Sequence, residues 1–200
     1  VTQAALILAS SSASRSRLLR AAGLAFETVP AHVDEDAVKM AIRAEKGSVE
    51  RCVETLAALK AVKISQAYPQ ALVIGADQLL VCGERWFDKP ADLAAAREQL
   101  LALAGKAHSL PTAAVVARGG ARLWHHVAAP RLTMRAFGTA FVDDYLARAG
   151  EQVLGSVGAY QLEGLGVQLF QAVEGDFFTI LGLPLLPLLG FLREHGVVAA

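Results

Sequence analysis

Ser10, Ser12 and Arg15 stand where an apolar run, Leu6–Ala9, empties into a hydroxyl-rich turn and then a helical pattern over 14–22. A strand that ends in small hydroxyl residues and feeds a helix offers an anion free N–H groups and the positive end of a helix dipole. The serines can add hydroxyl donors, and Arg15 can clamp a phosphate through two parallel hydrogen bonds. An ordinary serine-capped helix with solvent-facing arginines fits the same letters.

A second candidate is Lys60. On a helix expected over about 49–67, Val53, Leu56, Ala57 and Ile64 fall on one face, and Lys60 interrupts that stripe. A lysine there either snorkels to the rim or points its ammonium at an anion. Asp77 is the third, the sole charge in "ALVIGADQLLVCG". A carboxylate in so apolar a run must find a metal, a cation or hydrogen bonds, because desolvating it alone costs several kcal/mol. Glu35 in "VDED" and Lys89 in "DKP" offer a further carboxylate and ammonium. Together these residues make a set suited to phosphoryl chemistry on a nucleotide: hydroxyls, Arg15, Lys60 and Lys89 for phosphates, Glu35 and Asp77 for a divalent ion.

Short apolar runs of β type alternate with helical periodicity, which predicts a mixed α/β sheet with flanking helices. Strands are expected at 5–9, 26–29, 71–75, 78–82, 112–118, 121–127, 131–137, 167–173 and 177–181. Helices are expected at 14–22, 49–67, 93–104 with Asp92 as N-cap, 140–149 and 185–195. Gly119-Gly120 reads as a hairpin turn. "GSVGAYQLEGLG", with four glycines in twelve residues, reads as a loop that bends sharply or approaches a ligand.

Two hundred residues suit a single α/β domain, or one with two lobes around a central cleft. Nineteen Lys and Arg balance nineteen Asp and Glu, which argues against the broad basic surface that nucleic acids require. Cys52 and Cys82 lack metal or redox spacing, and the expectation is two reduced thiols in a cytoplasmic protein. "FFTILGLPLLPLLGFL" is apolar for sixteen positions but is broken by Pro184 and Pro187, so no membrane span is expected.

In order along the chain, "LILASSSASRSRLL", "VDE", "LAALKA", "VIGADQ", "DKP", "VGAYQLEGLG", "VEGDFFTILGLPL" and "FLREHG" resemble the Maf family of nucleoside triphosphate pyrophosphatases over nearly the whole length, 1–200. The resemblance implies an α/β fold with a cleft between two lobes, often as a homodimer. It implies cleavage of a nucleotide between the α and β phosphates, with Mg²⁺ or Mn²⁺. Asp77 would accept the proton; Ser10, Ser12, Arg15, Lys60 and Lys89 would hold phosphates; Glu35 and Asp77 would hold the metal. Three positions separate the family's branches, here Ser14, Gln78 and Glu163. Gln78 and Glu163 match the branch associated with 7-methyl-GTP, whereas Ser14 departs from the usual large side chain. A carboxylate suits guanine, accepting from N1–H and N2–H₂ and offsetting the cation of an N7-methylated ring. A dTTP/UTP pyrophosphatase and a nucleotide-binding regulator of septum formation are the rival readings.

Overall fold

The computed structural model describes residues 5–199. They divide into two compact units, one of residues up to Gln78, Thr112–Ala128 and those from Phe177 onward, the other of Leu79–Pro111 and Ala129–Asp176. The mixed α/β architecture expected from the sequence is present, its strands shared between two sheets.

The first unit contains β1 (Leu6–Leu8), α1 (Ala13–Ala21), β2 (Glu27–Thr28), α2 (Glu35–Ala44), α3 (Val49–Ala67) and β3 (Leu72–Gln78). After the second unit's first segment come β7 (Thr112–Arg118) and β8 (Ala121–Ala128), and the unit closes with α6 (Phe177–Ile180) and α7 (Leu185–Glu194). Its sheet runs β2-β1-β3-β7-β8, parallel among the first three strands and antiparallel beyond. The Gly119-Gly120 turn joins β7 to β8 as expected.

Alternation along β3 sorts its side chains onto two faces. Leu72, Ile74 and Ala76 join Leu6, Leu8, Leu18, Leu19, Leu188 and Phe191 in one buried cluster, beneath α1 and α7. Val73 joins Ile7, Ala9 and Ile64 on the opposite face, beneath α3. Gly75 shares that face. A Cβ there would lie 2.2 Å from the Ala57 carbonyl oxygen and 2.7 Å from the Ala61 nitrogen, so only glycine lets α3 lie so close to β3. Asp77, two residues further on, faces the same helix.

The second unit holds β4 (Leu80–Cys82), β5 (Arg85–Phe87), α4 (Leu93–Leu103), β6 (Ala107–Ser109), β9 (Arg131–Met134), α5 (Thr139–Ala149) and β10 (Phe170–Glu174). Its sheet, ordered β10-β9-β6-β4-β5, is antiparallel throughout. Short 3₁₀ turns at Gly150–Gly155, Val157–Ala159 and Leu165–Leu169 carry the glycine-dense segment. Asp92 caps α4 as expected, its Oδ1 accepting from the Ala95 amide at 2.7 Å.

Several elements differ from the sequence expectation. The strand expected over 177–181 is the single helical turn α6, with the Leu181 amide donating to the Phe177 carbonyl at 3.2 Å. Its apolar run satisfies burial of Thr179 and Ile180 equally well in helical form, which composition alone cannot separate from a strand. Helix α2 was not expected; Asp34 caps it, accepting from the Ala37 amide at 3.0 Å. The three-residue strands β5 and β6 were also not expected, being too short to show alternation. Among the described residues no helix is long and apolar enough to cross a membrane.

Candidate active site

The chain leaves β1 toward β2 on one side, then returns to place β3 on the other. In an open sheet, such a reversal leaves a crevice beyond the carboxyl ends of the two central strands. Ser10, Ser12 and Arg15 follow the carboxyl end of β1, and Asp77 and Gln78 end β3.

The turn after β1 is built from its own hydroxyls. Ser12 is the N-cap of α1, its Oγ accepting from the Arg15 amide at 3.4 Å. The buried Ser10 Oγ accepts from the Ser12 amide and from Arg15 Nη1, each at 3.2 Å. Both oxygens accept in these contacts, so each retains its O–H as a donor. Arg15 Nε also donates to the Gly182 carbonyl at 2.8 Å, which fixes the guanidinium beside the segment after α6. Burial lowers the Arg15 pKa, while the charges of Asp77 and Glu35 act to raise it.

Lys60 is buried, as its place in the apolar stripe suggested, and it does not snorkel. Its Nζ lies 2.5 Å from Asp77 Oδ1 and 2.6 Å from Glu35 Oε1. The small residues Ala57 and Ala61 flank it on α3 and admit the close contact with β3 at Gly75. Glu35 arrives as the first residue of α2, where the helix dipole favours a carboxylate. Lys63 donates to the His32 carbonyl and ties the segment before α2 onto α3.

The two carboxylates titrate differently. Burial raises the Asp77 pKa above its ordinary value, with Lys60 and Arg15 pulling it back. Burial acts on Glu35 in the same sense, but the Lys60 hydrogen bond and the charges of Lys60, Lys39 and Arg15 outweigh it and hold Glu35 low. Glu35 keeps 41% of its side chain exposed, and Asp77 only 7%. The exposed carboxylate therefore remains ionised, and the buried one stands closer to accepting a proton.

Gln78 points to the opposite face of β3. Its Nε2 donates to Thr112 Oγ1 at 2.9 Å and to the Thr179 and Ile180 carbonyls at 3.0 and 3.2 Å. The one-turn form of α6 makes this possible, since the carbonyls at a helix end lack intrahelical partners. Three acceptors fix the amide orientation and leave Oε1 as the acceptor Gln78 can offer.

The structure thus brings Ser10, Ser12, Arg15, Glu35, Lys60, Asp77 and Gln78 together in the first unit. Ser14 lies half-buried in the first turn of α1. Lys89 and Glu163 belong to the second unit, both exposed, Lys89 between β5 and α4 and Glu163 in a turn between two 3₁₀ segments. Sequence reasoning missed Lys39, whose charge reaches Glu35. The signal was present: Glu35 and Lys39 are spaced i, i+4 on α2, with the carboxylate nearer the N-terminus. It also missed Thr112 and the Gly182 carbonyl, which have no signature outside the folded state.

Comparison with known proteins shows the family. The family model described as "Maf-like protein" matches residues 5–195. The chain belongs to the Maf family. It is 60% identical over 190 residues to a nucleoside triphosphate pyrophosphatase of Paramagnetospirillum magneticum, covering 95% of this chain and 98% of that one. A nucleoside triphosphate pyrophosphatase of Granulibacter bethesdensis is 57% identical over 95% of this chain and 96% of its own. A 7-methyl-GTP pyrophosphatase of Rhizobium etli is 51% identical over 96% of this chain and 97% of its own. These Maf relatives match this chain along both units.

Proposed function

We propose that this chain, a nucleoside triphosphate pyrophosphatase of the Maf family, acts by preference on 7-methyl-GTP, releasing the monophosphate and pyrophosphate. The observation that carries the cleavage chemistry is the pair Glu35 and Asp77, converging on one ammonium within 2.6 Å. Lys60 stands there as a resident cation, which shows that the two carboxylates suit a positive charge. Two carboxylate oxygens together with substrate phosphates are a fitting donor set for Mg²⁺ or Mn²⁺. Glu35 and Asp77 would hold such an ion, which would supply charge stabilisation for the leaving pyrophosphate.

The protein's own groups divide the remaining work. Asp77 takes the proton of the water that attacks the α phosphorus, a role its raised pKa favours. Lys60 turns from the carboxylates toward the phosphate oxygens, and Arg15, Ser10 and Ser12 hold the same chain from the end of α1. By the family resemblance, Lys89 would add an ammonium for the phosphates, and Ser14, Gln78 and Glu163 would read the base. Glu163 as a carboxylate accepts from the guanine N1–H and N2–H₂ and opposes the carbonyls of uracil and thymine. The Oε1 of Gln78 offers an acceptor of the same kind.

A panel of triphosphates that includes methylated purines and pyrimidines tests this reading. The expected products are monophosphate and pyrophosphate, lost with a chelator, at the highest kcat/KM for 7-methyl-GTP. Stepwise release of orthophosphate, or a preference for UTP or dTTP, contradicts it.

A further inference from the structure

The second unit contains a buried polar cluster with no role in the chemistry above. His108 on β6 is 2% exposed, and its Nε2 lies 2.8 Å from the hydroxyl of Tyr160, itself 4% exposed. Its Nδ1 is buried without a partner. Nε2 and the Tyr160 hydroxyl are therefore each other's hydrogen-bond partner, the direction following the His108 tautomer. Phe170 on β10 closes the cluster, 4.8 Å from the Tyr160 ring edge-on and 6.0 Å from His108.

This cluster anchors one end of a strained turn. Ala159, beside Tyr160, adopts φ +58°, a backbone region that residues other than glycine rarely occupy. Such a conformation persists only when its surroundings over-determine it. Two buried phenols do so here: the Tyr145 hydroxyl on α5 donates to the Ala159 carbonyl at 3.1 Å, and Tyr160 is held by His108. Just downstream, the backbone folds back on itself. The Gly164 amide donates to the Gln161 carbonyl at 3.2 Å, and a Cβ on Gly166 would lie 2.5 Å from that same oxygen. Glu163 sits within this closed turn, three residues after Tyr160.

We propose that His108 is a positioning residue for base selection: through Tyr160 it latches the turn that presents Glu163. The proposal rests on the reading of Glu163 as the group that meets the base. His108 touches no substrate; it fixes where the loop begins, and Glu163 inherits that position.

Tyr160→Phe removes the hydroxyl alone and keeps the ring in place. His108→Leu removes the hydrogen-bond partner, and His108→Gln can still donate to or accept from the Tyr160 hydroxyl. Two readouts are taken on each folded protein: amide hydrogen exchange over 157–164, and kcat/KM for 7-methyl-GTP and UTP. Tyr160→Phe and His108→Leu should speed exchange in the turn about tenfold or more. They should lower the 7-methyl-GTP to UTP ratio about 5- to 20-fold. His108→Gln should restore most of both. Unchanged exchange and an unchanged ratio in both disrupting variants overturn the latch, as does failure of His108→Gln to rescue them. Glu163→Gln in the same assay separates the two ideas. If it leaves the ratio unmoved, Glu163 does not read the base, and the latch is judged on exchange alone, with retained protection overturning it.

Discussion

Around Lys60 the first unit gathers full charges; around His108 the second unit gathers neutral groups. Lys60, Asp77 and Glu35 are compensated by one another over 2.5 and 2.6 Å, an arrangement that incoming phosphate and metal can rearrange. His108, Tyr160 and Tyr145 are held by neutral hydrogen bonds, and burial drives all three away from ionising, with His108 down to about 4 and Tyr145 up to about 12. A charged cluster can trade partners during a reaction, whereas a neutral buried one can only keep its shape. On the proposed reading, chemistry belongs to the first, and placement to the second.

The largest expected effect separates the two regions at once. Asp77→Asn keeps the shape but removes the base, so kcat should fall roughly 10²- to 10⁴-fold. The fold should survive with a modest loss of stability, because buried Lys60 loses one carboxylate partner but keeps Glu35 at 2.6 Å. A carboxyl whose folded pKa is raised penalises the fold once ionised, and that penalty is relieved as pH falls, so its neutral isostere loses nothing on that account. Near-normal turnover in the folded variant would assign Asp77 to structure.

Lys60→Met comes next. The apolar stripe by itself suggests that Met should fit well there. The structure shows what that misses, since Met leaves Asp77 and Glu35 facing each other without a counter-ion. Loss of about 3 kcal/mol of stability at neutral pH is expected, with a larger thermal stabilisation by Mn²⁺ than in the parent protein. Equal stability and an equal Mn²⁺ response would show that the three charges are not coupled.

In the neutral region, pH is the lever. The unfolded chain binds a proton on His108 near its ordinary value of 6.5, the folded chain only near about 4, so this contribution is whole above 6.5 and lost as pH falls toward 4. The loss should reach about 3 kcal/mol by pH 4. Urea unfolding of the parent and His108→Gln across that range checks it: parallel curves would mean that His108 does not titrate with folding.

Glu163→Gln should be the mildest change. It should cost 7-methyl-GTP about 1–3 kcal/mol in kcat/KM and leave UTP unchanged or improved. A substrate ratio that does not move removes Glu163 from base recognition.

Much of the first region was legible in the sequence, because charge inside an apolar pattern is visible there. Lys60 within its stripe and Asp77 within its strand both had to be answered by partners, and each proves to be the other's. Which partners was not legible, because the Lys60–Asp77 contact depends on α3 lying against Gly75, a tertiary fact. The latch was less visible still. His108 occupies a three-residue strand and Tyr160 lies fifty-two positions away, so no local period links them. The turn α6 was hidden for another reason: its apolar residues suit burial in either conformation, and the Gln78 side chain that donates to its Thr179 and Ile180 carbonyls comes from a distant strand.

In the proposed mechanism a water, deprotonated by Asp77, attacks the α phosphorus. Hydrolysis of 7-methyl-GTP in oxygen-18 water, followed by mass spectrometry of both products, tests it most directly. The label should appear in the monophosphate and be absent from pyrophosphate. Label in pyrophosphate would place the attack on the β phosphorus and contradict the account.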